Sequence, residues 1–173
     1  LGILMGGMWA YEALSFGGFW AWDPVENASL VPWITLIAAL HTLLIFKATG
    51  HALKTSFILL IVSFFLILYS TFLTRSGILG DSSVHSFTDL GMMGQLIVLI
   101  VALILPAFIW LFVKWRRLPV PAKEEKTSSR EFWMFLGAFV LLLSALVITY
   151  FTSIPVLNKL FGMKKAPLEK ADY

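Results

Sequence analysis

The sequence predicts an all-α fold: a polytopic transmembrane helical bundle with about four complete spans plus a truncated one, and a tryptophan-rich extracytoplasmic loop. Three observations lead there. Hydrophobic residues make up 59% of the chain and charged residues 13%, with a mean hydropathy of +0.87, far from the roughly half-apolar composition of a soluble domain. The apolar residues fall in runs near the roughly 20 residues that a spanning helix needs. Between the first two runs, aromatic rings, paired glycines and two carboxylates crowd into Gly17-Gly18-Phe19-Trp20-Ala21-Trp22-Asp23-Pro24-Val25-Glu26-Asn27.

Residues 1–14 are mostly apolar but too short to span a bilayer, with Glu12 near their end. They read as the tail of a truncated helix. Residue 1 is Leu and no signal-peptide pattern precedes it, so the expectation is a piece of a longer polypeptide. Residues 15–29 form the aromatic loop. Inside it, Asp23 suits an N-cap, Pro24 the first helical position and Glu26 the residue that reaches back, so a helix should start there. The first full span runs from about Leu30 to Ala48, with Pro32 as a kink or an interfacial turn. A polar turn at 47–54 precedes a span from Thr55 to Thr74. The outer loop 75–90 carries Ser86, Thr88 and Asp89, which suit the cap of the span Gly91 to Val113. A charged hinge, 114–131, leads to the last span, Phe132 to Thr152, and residues 153–173 form a polar, lysine-bearing tail.

Lysine and arginine set the orientation. With the aromatic loop outside the cytoplasm, the inner loops carry Lys47, Lys54, Lys114, Arg116, Arg117, Lys123, Lys126 and Arg130, whereas the outer 75–90 loop carries Arg75 alone. The tail, with four lysines, runs against this bias. The net charge of +3 therefore records topology and gives no reason to propose nucleic acid as a partner. The absence of cysteine excludes disulfides, thiolate ligands and redox thiols of the chain's own, leaving three histidines as nitrogen ligands for a metal.

His41 lies nine residues after Pro32, about 14 Å along a helix and so near the middle of a hydrocarbon core about 30 Å thick. An ionisable group there is costly and usually faces the bundle interior. Two readings stand open: a neutral histidine hydrogen-bonded to a neighbouring helix, or an axial ligand to a buried b-type haem. Ala38 and Ala39 leave room beside it, and a second ligand is not evident at that depth. His85, in the outer loop, is a surface residue or a ligand on the side of the tryptophans. His51 has no special role. An interfacial belt accounts for Trp33, Trp110, Trp115 and Trp133. In an extended loop, Trp20 and Trp22 place both rings on one face, beside Gly17 and Gly18, where a flat apolar ligand such as haem could lie. Asp23 and Glu26 serve first as caps, worth on the order of 1 kcal/mol. Arg75 is an ordinary interfacial cation or the partner of a haem propionate.

The run from Trp9 to Trp33, WAYEALSFGGFWAWDPVENASLVPW, resembles the tryptophan-rich WWD-type signature of haem-handling proteins, most closely the cytochrome c maturation protein F branch. The resemblance continues through AALHTLL around His41 and TFLTRSGILGDSSVHSF around His85 to Ser129-Arg130-Glu131-Phe132. It implies a multi-pass protein of the bacterial inner membrane with the WWD loop on the extracytoplasmic side. It also implies a haem site formed by Gly17, Gly18, Phe19, Trp20, Trp22 and Asp23, with His85 on the iron of a substrate haem and His41 on the iron of a transmembrane b haem. The implied activity is that of a haem lyase, attaching haem to the CxxCH motif of apocytochrome c. Its partners would be apocytochrome c, a haem-delivery chaperone, other maturation subunits and the lipid bilayer. A haem transport or delivery subunit of the same superfamily is the alternative, and a membrane scaffold with a tryptophan belt is a third reading. Two departures stand out. Phe16 and Phe19 replace the tryptophans usual in the family, keeping the stacking face and losing the indole N–H. The loop before His85 is also slightly longer, at Asp81 to Ser83.

Overall fold

The computed structural model describes residues 1–13, 18–80, 83, 91–119 and 129–162. Six α-helices occur among them: α1 (Gly2–Ala13), α2 (Pro24–Thr49), α3 (Leu53–Arg75), α4 (Met93–Lys114), α5 (Arg130–Thr152) and α6 (Ile154–Phe161). A 3-10 turn, Trp115–Arg117, extends α4. Four of these helices are long and apolar enough to cross a membrane, so the chain is a multi-pass membrane protein with an all-helical architecture.

The local chemistry explains the boundaries. At the start of α2 the Asp23 carboxylate accepts from Val25 N at 3.0 Å, Pro24 occupies the first turn, and Glu26 closes the capping box. The helix ends at Gly50, whose φ of +80° is a left-handed conformation that glycine adopts without a Cβ clash. Ser129 caps α5 by accepting from Phe132 N at 3.1 Å. Pro32 does not interrupt α2: it is buried inside a continuous helix. It has no N–H to donate to the Ala28 carbonyl; the Thr35 hydroxyl one turn on donates instead to Pro32 O at 2.9 Å and Val31 O at 3.1 Å. The polar tail expected from Ser153 begins with α6, an amphipathic helix whose Val156 packs on a cluster containing Phe72, Leu73 and Leu79.

Helix α2 is the centre of the bundle, flanked by α3 and α5, while α4 packs on α3. Small side chains let the helices approach. Ala38, Ala39, Leu59 and Ala138 form one buried cluster of α2, α3 and α5, and Val31, Ile34, Leu66 and Ala145 form another. Two polar rungs tie α2 to α3: Ser56 Oγ to Thr42 Oγ1 and Ser63 Oγ to Thr35 Oγ1, both at 2.9 Å and buried. Each pair is repeated seven residues on, which keeps it on one helical face. A third rung, Tyr69 OH to Ser153 Oγ at 2.8 Å, holds the start of α6 to α3. In a double-mutant cycle with Thr35→Ala and Ser63→Ala, unfolding in mixed detergent should show a coupling energy of about 0.6 kcal/mol, the usual worth of such a bond in a membrane. A coupling of zero would show that the rung contributes packing alone.

Candidate functional site

The corner between α1 and α2 is built by the run Asp23-Pro24-Val25-Glu26-Asn27. Trp22 has φ +57°, unusual for a residue with a Cβ. Two side chains from the first turn of α2 hold it there. Glu26 Oε2 accepts from Ala21 N at 2.7 Å and from Asp23 N at 3.4 Å, on either side of Trp22. Asn27, fully buried, donates from Nδ2 to Trp22 O at 3.0 Å. Asp23 Oδ2 accepts from Val25 N and also from Ser83 Oγ at 2.7 Å, a contact across 60 residues. Capping is thus the observed work of Asp23 and Glu26. Asn27 and Ser83 join the same cluster although neither stood out in the sequence.

This corner overturns one expectation. The rings of Trp20 and Trp22 are close, with centroids 6.4 Å apart, but they meet at 81° and do not form one flat shelf. The reason is the positive φ at Trp22, which breaks the extended backbone on which a two-residue period depends. The parallel pair is Tyr11 with Phe19, at 4.5 Å and 6°. A cavity of about 450 Å³ opens beside it, walled by Gly2, Gly6 and Ala10 of α1, by Phe19 and Trp20 of the corner, and by Val25 of α2. The α1 wall has small residues at every fourth position, a small-xxx-small pattern readable in the sequence. Gly7 brings α1 close to the corner, where a Cβ would lie 3.1 Å from Phe19 O. Trp20 lines the cavity, and its indole Nε1 is buried with no hydrogen-bond partner among the described residues. Trp22 is 42% exposed. Gly18 is half-buried beside them, and Gly17 and His85 lie outside the described residues.

His41 is a separate feature. It follows Asp23 by 18 residues in one continuous helix, about 27 Å along the axis, so one ligand cannot bridge it and the corner. It sits past the midpoint of α2, about 7 Å towards the Gly50 end. The midplane expectation counted from Pro32, whereas the helix begins at Pro24. The imidazole packs against α5 at Gly137, where a Cβ would meet Nδ1 and Cε1 at 3.8 Å. Nδ1 is buried and has no hydrogen-bond partner among the described residues. Ala38 and Ala39 are fully buried in contacts with α3 and α5. The space beside His41 is left by Gly137, 96 positions away in the chain.

A profile described as "Cytochrome C assembly protein" matches residues 1–79, which contain α1, the cavity, the Asp23 corner and His41. The cytochrome c-type biogenesis protein ccl1 of Rhodobacter capsulatus is 40% identical over 166 residues, 95% of this chain and 25% of that protein. CcmF of Escherichia coli is 34% identical over 163 residues, 94% of this chain and 25% of its own length. The chain belongs to the cytochrome c maturation protein F family. CycK of Bradyrhizobium diazoefficiens, 48% identical over 113 residues, covers 65% of this chain and 17% of itself. The chain thus spans about a quarter of the length of the CcmF and ccl1 relatives, and no solved structure matches it. These relatives are named as cytochrome c-type biogenesis proteins. In this maturation protein F chain, Asn27→Ala should cost about 1–3 kcal/mol by stranding the Trp22 carbonyl. Thermal unfolding in detergent would measure the loss. An unchanged midpoint would show that Glu26 alone holds the corner.

Proposed function

We propose that the chain holds haem in two places and serves a cytochrome c haem lyase of the bacterial inner membrane, with the Trp20–Trp22 corner on the extracytoplasmic side. The observation that carries this reading is the cavity between α1 and the corner. It is largely apolar, falls within the roughly 300–1,000 Å³ of ligand pockets, and is lined by Trp20, whose buried indole N–H has no hydrogen-bond partner among the described residues. A flat apolar ligand with polar edge groups answers both features. Phe19 and Trp20 supply ring faces, Gly18 and the α1 glycines leave the backbone accessible, and Asp23 anchors the corner, with Gly17 and His85 proposed as the remaining contact and the iron ligand of this substrate haem. The hydrogen bond from Ser83 to Asp23 supports the assignment of His85, since it brings the chain two residues before that histidine onto the corner.

The chemistry proposed is addition of each apocytochrome cysteine thiol across a haem vinyl group. Sulfur bonds to one vinyl carbon and the proton goes to the other, so no net oxidation occurs. The chain's part is to hold the haem with its vinyl edge accessible, and alignment of that kind can supply several kcal/mol of the barrier. Apocytochrome c, a haem-delivery chaperone and other maturation subunits are the proposed partners. His41 fits a resident b haem, since its Nδ1 has no partner among the described residues and a glycine stands opposite it. A haem held there would supply one-electron transfer, relaying to the substrate iron electrons received from a reductant outside this chain.

Gly6 has open space where a Cβ would stand, so Gly6→Leu projects into the cavity without striking the backbone. It should weaken haem loading at the corner by about 1–3 kcal/mol, roughly five- to hundredfold, and leave the b haem in place. His41→Ala should do the reverse. Absorption spectra of the purified protein, together with the yield of holocytochrome c, separate the two. Full loading and full yield in Gly6→Leu would refute the corner as the haem site. Loading without thioether formation in the parent protein would mark a delivery subunit.

A further inference from the structure

The seam between α2 and α5 changes character as it runs away from His41. Leu44 and Ala48 follow His41 on the same face of α2, at three and seven residues, and Met134 and Arg130 precede Gly137 on α5 at the matching intervals. These four residues, with Lys47, line a cavity of about 360 Å³ at the ends of the two helices remote from the aromatic corner. Nearest the imidazole the walls are apolar, Leu44 and Met134. At the rim stand two cations from different helices. Lys47 is six residues, about 9 Å, beyond His41, and Arg130 is seven residues, about 10 Å, from Gly137. Arg130 Nη2 donates to Glu131 Oε1 at 3.3 Å, and the arginine side chain is 77% exposed. One guanidinium nitrogen is thereby engaged, and the rest of the fork can still donate.

We infer that Lys47 and Arg130 bind the propionate carboxylates of the haem held by His41, orienting its acid edge towards the end of α2 at Gly50. The inference rests on the reading of His41 given above. The order imidazole, apolar walls, paired cations is the order in which a haem presents iron, ring and carboxylates. An anionic phospholipid could also place a head group at such a rim. It would leave the buried Nδ1 and the glycine beside it without a purpose, which favours the macrocycle. Arg and Lys stems lie readily along apolar walls with their heads at the interface, and a charged donor on a carboxylate makes the stronger kind of hydrogen bond.

The test uses the purified protein in detergent with its haem. Lys47→Gln, Arg130→Gln and the double variant are compared with Lys54→Gln, whose cation lies at the same end of the bundle over the ring of Trp115, 4.8 Å from its centroid. Removing positive charge beside the propionates favours ferric haem, so the b-haem midpoint potential should fall in each variant and further in the double one, with several-fold faster haem loss. Lys54→Gln should leave both unchanged, and Lys47→Arg should restore the midpoint. The inference is overturned if the double variant keeps the parental midpoint, if Lys54→Gln lowers it equally, or if the only change is a loss of co-purified anionic phospholipid. A b-haem spectrum that survives His41→Ala would instead sink the earlier reading of His41.

Discussion

A single carboxylate, that of Glu26, decides the shape of the aromatic end of this bundle. By accepting from Ala21 N and Asp23 N it closes the chain around Trp22, and the left-handed backbone there turns a loop into a corner. The same turn of helix supplies Asn27 to the Trp22 carbonyl and Asp23 to both the helix and Ser83. Buried polar groups hold a corner through the partners they find, and here Asn27 Oδ1 finds none among the described residues. The cluster's bonds tie residues 21–23 to the first turn of α2 and to Ser83, which follows α3.

The consequence is a division of labour along α2. Its first turn organises the corner and cavity, its middle packs through alanines and the Thr–Ser rungs, and its last third carries His41 and then Lys47. Because α2 is one uninterrupted helix through Pro32, the two proposed haem positions are held at a separation of about 27 Å by a rigid element. That distance is too great for contact and fits two distinct tasks, one at the surface and one within the membrane. The unequal burial follows the same plan. The centre of α2 is covered by α3 and α5, whereas α4 shows most of its apolar surface, as a lipid-facing or chain-facing helix can.

Much of the fold was legible in the residues. The four spans stood out because hydrocarbon tolerates only long apolar segments, and the start of α2 stood out because an Asp-Pro-x-Glu order satisfies the free N–H groups of a first helical turn. The site was legible in part. Trp20, Asp23 and His41 could be singled out by type and depth, but the mutual orientation of Trp20 and Trp22 could not, since it turns on the one positive φ between them. The small-residue wall of α1 was written in the sequence at Gly2, Gly6 and Ala10, and it becomes meaningful only when the corner is folded against it. Asn27 looked like an ordinary polar residue in a motif, and its role emerges from a carbonyl five residues earlier.

By itself the sequence determined the membrane environment, the helical class, the cap of α2 and the family, because each depends on composition or on residues within one or two turns of one another. The tertiary structure alone decided the pairing of Ser83 with Asp23, of Gly137 with His41, and of Lys47 with Arg130. Those partners lie 60 or more positions apart, and the helices that carry or precede them are apolar on nearly every side, so no periodicity says which face meets which. Only close packing, choosing where the small residues sit, settles that.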